Sequence, residues 1–259
     1  MKIIFTLLLS SMALATVSIA NCFVGIPDDC PTGKVCAKYN PAGDSRCVDI
    51  PKTAPMIFDL PFDESSKVFC TQSSRLSTAT HVFQNMLYAI DLTSHYKSDP
   101  GKIYASAPGK AFVHSGCKNP AGKPDQTKTD DCGLGYGNHV FLLHNEGYIS
   151  IYAHLSEVLV KTGDNVRARQ EIGGEGATGK AAHRHLHWDV HKLEGPKTSW
   201  EKTLSEPGWG GYSVPYRFRV KINGTEKIVN SSEIACRWLD QTQAPWSGTY
   251  KGSQDPKLK

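Results

Sequence analysis

The 259-residue sequence lacks several features that would place it in a familiar class. It has no long stretch of amphipathic helical periodicity, so helices are not expected to dominate the fold. It has no dense run of lysine or arginine, and its formal net charge of +4 is mild, so no nucleic-acid partner is expected. After the first twenty residues no second hydrophobic span follows, so no membrane insertion of the mature chain is expected.

The beginning of the chain has the pattern of a secretory signal peptide. An apolar run covers residues 3–15, and the small residues Ser18 and Ala20 suit cleavage before Asn21. A membrane anchor is the weaker alternative because the apolar run is short. A lipoprotein cleaved before Cys22 is disfavoured because Asn21 is large and polar. The mature protein is therefore expected in the periplasm or outside the cell.

The cysteines predict disulfide bonds. All eight follow the expected cleavage point, and an even number in an exported chain favours disulfides over thiolate metal sites. Residues 21–50 hold four of them and few large apolar residues, so two bridges should stabilise this segment, with three connectivities open. Cys117 and Cys132 should clip a polar insert, and Cys236 should bridge back to Cys70.

From residue 56 onward, short β-prone runs alternate with turns rich in glycine, proline and asparagine. This pattern predicts a mainly β fold with an antiparallel sheet or sandwich, preceded by a small disulfide-rich module. The expected strands are 56–60, 67–72, 86–92, 111–114, 138–144, 148–154, 185–191, 216–222 and 226–229. The expected divisions are a signal peptide (1–20), a Cys-rich module (21–50), a linker (51–61), a main domain (62–195), a C-terminal β extension (196–246) and a flexible tail (247–259).

A cluster of histidines predicts a metal site. Three of the ten histidines, His183, His185 and His187, lie within five residues. In an extended strand, alternate side chains project from the same face, so such histidines can offer nitrogens to one metal. A polar strand face is the alternative interpretation. The glycine-rich approach to the cluster, and other histidines and an aspartate on upstream strand-like segments, favour the metal.

The upstream candidates complete a donor set. His81 precedes a predicted strand, Asp91 ends it, and His154 closes another strand. Catalytic zinc takes three protein ligands and leaves one position for water, so His81, Asp91 and one clustered histidine would suffice. Bound zinc suits amide hydrolysis because it activates water and polarises a carbonyl. The sequence has no His-Glu-x-x-His helix, which excludes a thermolysin-type peptidase, so histidines must transfer the protons.

Short motifs follow one another in a specific order through the second half of the chain. They are Tyr136-Gly137-Asn138-His139-Val140, Tyr152-Ala153-His154-Leu155, Gly163-Asp164-Asn165-Val166, Gly176-Ala177-Thr178-Gly179 and His185-Leu186-His187-Trp188. With these motifs the chain resembles the lysostaphin-like, LytM-type zinc metalloendopeptidases that hydrolyse bacterial cell walls. The resemblance runs from about residue 62 to 194. It implies a duplicated-hybrid-motif-like β fold for the main domain, one zinc ion per chain, and peptidoglycan stem peptides or cross-links as substrates.

The resemblance also implies roles for individual residues. The implied zinc ligands are His81, Asp91 and His187, and the implied catalytic residues are His154 and His185. Many family members place the first histidine and the aspartate four residues apart, whereas ten positions separate His81 from Asp91. His81 is therefore the ligand in question, and His95, four residues after Asp91, is the alternative, although an exposed role for His95 is preferred.

The remaining histidines carry no match to a ligand motif. His183 is expected to lie behind the ligands or to be exposed. Core or surface roles are expected for His114, His139, His144 and His191.

Two other functions are compatible with parts of the sequence. A catalytically inactive relative could bind cell-wall material or activate another hydrolase, but this chain keeps candidates at all five positions. A biotin- or lipoyl-carrier module shares the turn pattern around residues 158–173, but no lysine occupies a matching hairpin tip. The expected protein is therefore a monomeric, exported zinc endopeptidase.

Overall fold

A computed structural model of the chain describes residues 22, 29–38, 45–73, 81–94, 101–118, 131–206, 210–234 and 246–247. The strands are β1 (Lys34–Lys38), β2 (Ser45–Asp49), β3 (Ile57–Asp59), β4 (Val68–Gln72), β5 (Ile90–Ser94), β6 (Lys102–Tyr104), β7 (Gly109–His114), β8 (Asn138–Leu143), β9 (Tyr148–Leu155), β10 (Glu157–Val158), β11 (Asn165–Val166), β12 (Glu171–Gly174), β13 (Leu186–Lys192), β14 (Tyr212–Ser213), β15 (Arg217–Ile222), β16 (Thr225–Asn230) and β17 (Trp246–Ser247). Helix α1 spans Lys197–Ser205, and 3-10 turns span Cys132–Gly135, Asn145–Gly147 and Ser231–Glu233. Among these residues, no helix has the length and apolar character needed to cross a bilayer.

Most described strands belong to one large sheet. Its order is β11-β7-β8-β9-β13-β5-β4-β17-β15-β16, with β14 paired to β13 and β3 paired to β15. All these pairs are antiparallel except β3 with β15. A smaller sheet has the order β10-β12-β6, and β1 and β2 form a separate hairpin. The predicted mainly β, antiparallel class is confirmed.

Strand β13 separates two environments at the centre of the large sheet. Trp188 projects into a hydrophobic core, where its ring lies 5.0 Å from that of Tyr216 and 6.5 Å from that of Phe58. Because side chains alternate along a strand, His187 and Asp189 project from the opposite face. We call this opposite face the histidine face, and it is covered by other segments, since both residues are less than 5% exposed.

The segment before Asp91 differs from its prediction. The sequence predicted a strand over 86–92, but β5 begins only at Ile90. Residues 81–88 form successive turns, with Met86 N–H donating to Phe83 O at 2.9 Å. Tyr88 N–H donates to the Ser213 side chain at 2.9 Å instead of to a neighbouring strand. A β-prone composition was overridden here by tertiary hydrogen bonds.

Helix α1 lies in the connection after Gly195, where no helix was predicted. Trp200 and Leu204, four residues apart, form its buried side, and Trp200 packs on the turn between β8 and β9. A Cβ at Gly147, which has a φ of +73°, would lie 2.5 Å from the Trp200 ring. Only glycine fits this turn, and the close approach lets the helix pack against the sheet.

The N-terminal cysteines form the predicted pair of local bridges, Cys22–Cys36 and Cys30–Cys47. These bridges tie the β1–β2 hairpin, which we call the disulfide module. The predicted clip Cys117–Cys132 is also present. The expected partner of Cys70, Cys236, lies outside the described residues, as do the predicted signal peptide and most of the predicted tail. Part of the predicted linker forms β3, which pairs with β15.

Candidate metal centre

Two adjacent strands bring the central donors together. Asp91 on β5 and His187 on β13 stand directly opposite each other in an antiparallel pair, so both project from the histidine face. His187 Nδ1 lies 3.1 Å from Asp91 Oδ1. His81, from the turn that precedes β5, places Nε2 3.2 Å from the same oxygen. All three residues are less than 8% exposed.

The spacing and chemistry of these donors fit a zinc ion. One donor atom from each of the three residues lies within 4.8 Å of the other two. Tetrahedral zinc with bonds of about 2.0–2.1 Å separates its ligand atoms by roughly 3.3 Å. The two nitrogen–oxygen distances of 3.1 and 3.2 Å are close to that value. His187 Nε2 is buried without a hydrogen-bond partner among the described residues. The contact of Nδ1 with Asp91 is therefore the polar contact that orients this ring.

The charges around Asp91 keep its carboxylate ionised. Burial alone would raise the pKa of Asp91, but electrostatic interaction with His81 and His185 and hydrogen bonds from His187 and His81 hold it well below its usual range. Burial likewise lowers the pKa of His81, yet the Asp91 carboxylate outweighs this and leaves it raised. For His187, burial prevails and its pKa is lowered. The centre is therefore an anionic oxygen between two imidazoles.

His154 lies at the end of β9 in a strained conformation. Its φ of +63° is in the left-handed region, which is costly for a residue other than glycine. Two hydrogen bonds fix it: its N–H donates to Tyr136 O at 2.8 Å, and its Nδ1–H donates to Thr178 O at 2.8 Å. Burial and the neighbouring His185 and His187 hold the pKa of His154 well below 6.5. The ring is thus neutral near pH 7, with Nε2 as its proton acceptor.

His185 lies beside His154 and close to the donor set. The two rings are 4.8 Å apart between centroids, and His185 Nε2 is 3.7 Å from Asp91 Oδ1. Its Nδ1–H donates to His183 O at 2.8 Å, so in the neutral ring Nε2 is the nitrogen without a hydrogen. Two imidazoles with Nε2 available therefore lie next to a carboxylate and two further imidazoles. Such a group can bind a cation and transfer protons.

All five residues singled out in the sequence lie together: His81, Asp91, His154, His185 and His187. His183 does not join them through strand alternation, because β13 begins at Leu186 and His183 lies in a bend. Its backbone carbonyl supports His185 instead. His95, the alternative ligand, lies outside the described residues.

The other histidines have separate environments. His114 and His139 stack on each other across β7 and β8, with ring centroids 5.2 Å apart. His144 is buried and contacts Pro108 O and Ser150 Oγ. His191 is fully buried and lies 3.0 Å from the Asp189 carboxylate.

Sequence reasoning missed several supporting groups. The carbonyls of Tyr136 and Thr178 hold His154, and both residues belong to the motifs that carried the resemblance, so motif membership was the available signal. Asp189, two residues after His187, is fully buried and accepts a hydrogen bond from the Ser213 hydroxyl at 3.0 Å. Its position on the histidine face could have been inferred from alternation. No sequence signal marked Ser213.

Histidine and carboxylate side chains are ligands that catalytic zinc uses in proteins. Comparison with known proteins adds a family match for part of the chain. Residues 86–199 match the sequence profile of Peptidase family M23. This match overlaps the stretch that carries the motifs, and the resemblance identified from them is confirmed. The matched residues include Asp91, His154, His185 and His187, whereas His81 precedes them.

Curated relatives share short stretches with the chain. Peptidoglycan DD-endopeptidase ShyC of Vibrio cholerae is 43% identical over 61 residues, which are 22% of this chain and 14% of that protein. Murein hydrolase activator NlpD of Salmonella dublin is 41% identical over 56 residues, which are 22% of this chain and 15% of that protein. The similarity to each relative therefore spans only a small part of its length.

Among solved structures, a mutant catalytic domain of the prophage-encoded M23 protein EnpA from Enterococcus faecalis is similar at 20% identity and a TM-score of 0.40. The similarity covers 61% of this chain and 93% of that chain.

Proposed function

We propose that this protein is an exported, zinc-dependent endopeptidase that hydrolyses peptide bonds in peptidoglycan stem peptides or cross-links. The observation that carries the proposal is the convergence of His81, Asp91 and His187 beside His154 and His185, within a chain that bears an M23 domain. Similarity to a peptidoglycan endopeptidase supports the choice of substrate. The signal-peptide pattern supports export.

In this proposal His81, Asp91 and His187 hold one zinc ion per chain. Zinc bound there would supply a Lewis acid that activates water and polarises the scissile carbonyl. The ionised Asp91 carboxylate favours a cation at this position. The imidazoles of His81 and His187, which bind metal in their deprotonated form, complete the ligand set. Because histidine binds metal only when deprotonated, and Asp91 raises the pKa of His81, zinc affinity should weaken on acidification, starting at a higher pH than for an unperturbed histidine.

His154 and His185 transfer protons in this proposal. The hydrogen bond from His154 Nδ1–H to Thr178 O fixes the tautomer in which Nε2 accepts a proton, and burial keeps the ring neutral. His154 is therefore assigned as general base. We assign His185 as the second residue that transfers protons. Its Nδ1 is engaged by His183 O, and its Nε2 lies near Asp91.

Zinc analysis combined with digestion of purified cell wall tests the proposal. The purified protein should contain one zinc per chain and release peptide fragments from peptidoglycan. A chelator should abolish the cleavage, and added zinc should restore it. A protein that binds no zinc would contradict the metal centre.

The second candidate function is a catalytically inactive cell-wall protein that binds peptidoglycan or activates another hydrolase. Similarity to a murein hydrolase activator favours it. Zinc binding without peptidoglycan cleavage, together with faster cleavage by an added cell-wall hydrolase, would select this candidate over the endopeptidase.

A further inference from the structure

The segment between two proposed metal ligands has little structure of its own. Residues 82–88, which we call the ligand loop, connect His81 to the strand that carries Asp91. The loop consists of turns, with few hydrogen bonds within it. A loop of this kind would leave His81 free to move, and ordering it on metal binding would cost conformational entropy. Other parts of the chain must hold it in place.

Strand β14 holds the loop from one side. The Ser213 hydroxyl accepts the Tyr88 N–H at 2.9 Å and donates to Asp189 Oδ1 at 3.0 Å. Ser213 N–H also donates to Gln84 O at 3.3 Å. Asp189 is fully buried on β13, two residues beyond His187. One hydroxyl group therefore links the ligand loop to the strand that carries another proposed ligand.

The disulfide module holds the loop from the other side. Lys38 N–H, at the end of β1, donates to Val82 O at 2.7 Å, and Gln84 N–H donates back to Lys38 O at 3.3 Å. These bonds lie immediately after His81 in the chain. An apolar cluster strengthens the contact, with Leu87 and Tyr88 packed against Val35 and Ala37 of the hairpin.

We propose that the disulfide module and β14 form a clamp on the ligand loop, and that Ser213 is a positioning residue for the metal centre through this loop. The proposal deepens the proposed function, on which it rests. Apparent affinity falls in proportion to the population of the competent conformation, so a held loop raises zinc affinity without touching the metal. The clamp also explains how His81 and Asp91, ten residues apart in the sequence, reach one site. The disulfide module and β14 hold the residues between them in place.

Two matched serine variants test the clamp. Ser213 and Ser231 are both buried, and the hydroxyl of each accepts a backbone N–H, from Tyr88 at 2.9 Å and from Tyr216 at 3.1 Å. Ser231→Ala removes such a bond far along the chain from the ligand loop. We expect both variants to lose stability, and Ser213→Ala also deprives the buried Asp189 carboxylate of a donor. Zinc affinity is therefore compared under conditions in which both variants are fully folded. Zinc affinity, measured by competition with a chelator, should fall about 10-fold or more only in Ser213→Ala, the scale of losing outer support at a metal site.

The module side of the clamp is tested by Leu87→Ala, with Leu60→Ala as its control. Both leucines are no more than 1% exposed, but Leu60 belongs to the core on the other side of the sheet. We expect zinc to bind more weakly to Leu87→Ala than to Leu60→Ala. The absorption spectrum of the cobalt-substituted protein should change in the Leu87 variant and not in its control, because only the first alters the ligand geometry.

Amide exchange in the metal-free wild type provides a measurement that needs no variant. The Tyr88 and Lys38 N–H groups should be protected, and exchange of either at the rate of an open loop would overturn the clamp. Equal zinc affinity in Ser213→Ala and Ser231→Ala would also overturn it, while leaving the proposed function intact. A wild-type chain without zinc affinity would overturn both proposals.

Discussion

Two environments of buried histidine occur among the described residues, and their comparison shows how a neighbouring charge changes an imidazole. His81 and His187 share one oxygen of an ionised carboxylate. His144 is equally buried, but its partners are the Pro108 carbonyl and the Ser150 hydroxyl. Burial lowers the pKa of His144 to about 4, whereas Asp91 raises that of His81 despite complete burial.

The difference lies in the charge beside the ring. A carbonyl or hydroxyl satisfies an imidazole and leaves it neutral and structural, because neither offers an anionic ligand to a cation. A carboxylate that contacts two imidazoles places a negative charge beside both rings, and a cation can bind among these three groups. Burial alone therefore does not distinguish the proposed metal ligands from a structural histidine such as His144.

The largest effect should separate the two kinds of histidine directly. His187→Ala removes a proposed zinc ligand, so zinc binding should be lost and peptidoglycan cleavage should fall about 10⁴-fold or more, since several kcal/mol of Lewis-acid stabilisation are lost. His144→Ala is the matched control, a buried histidine outside the donor set, and should keep its zinc. Equal zinc content in the two variants, measured by elemental analysis, would remove the distinction.

Within the histidine face, His154→Ala should separate catalysis from binding. We expect cleavage to fall about 10²- to 10⁴-fold, the usual loss when a general base is removed. Zinc content should stay at the wild-type level, because His154 donates to Thr178 O and is not among the three convergent donors. Loss of zinc in His154→Ala would instead make this residue a ligand, and unchanged cleavage would remove it from the mechanism.

The smallest effect concerns stability and arises from His144. Its folded-state pKa of about 4 lies below the unfolded value of 6.5, so below pH 6.5 the unfolded chain binds a proton that the folded chain excludes. Unfolding free energy should therefore fall by about 3 kcal/mol between pH 6.5 and pH 4 on account of this residue.

Denaturant titrations of wild type and His144→Gln at several pH values measure this contribution. The variant cannot titrate, so its stability should decline less on acidification, and the difference between the two curves isolates His144. Parallel curves would show that His144 is not buried as a neutral ring. Zinc affinity should be the same in both proteins at pH 7.

The order of the motifs allowed most of the centre to be predicted. Asp91, His154, His185 and His187 lie in segments whose neighbours carry the M23 pattern, and the structure brings them together. The β class followed from the short alternating runs, because a period of two residues is a property of the chain itself. Helix α1 was missed because only two of its residues, Trp200 and Leu204, are buried, which leaves a weak periodic signal.

His81 illustrates the limit of prediction from local pattern. Its ten-residue separation from Asp91 matches no compact motif, and its position depends on bonds from Lys38 to Val82 and from Tyr88 to Ser213. Sequence separations as large as that between Tyr88 and Ser213 leave no local signature. The predicted strand over 86–92 was wrong at its first half for the same reason, since the Tyr88 N–H bonds to a side chain and not to a strand.

The sequence by itself predicted the β class, two local bridges in the N-terminal segment with their pairing left open, and the motif residues of the proposed donor set. These depend on composition, on alternation and on residues that lie near one another along the chain. Only the tertiary structure decided that His81 joins Asp91 and His187, that two carbonyls fix His154, and that the ligand loop is fastened between β1 and β14. The physical reason is that these contacts join groups distant in sequence, and their geometry exists only once the sheet has formed.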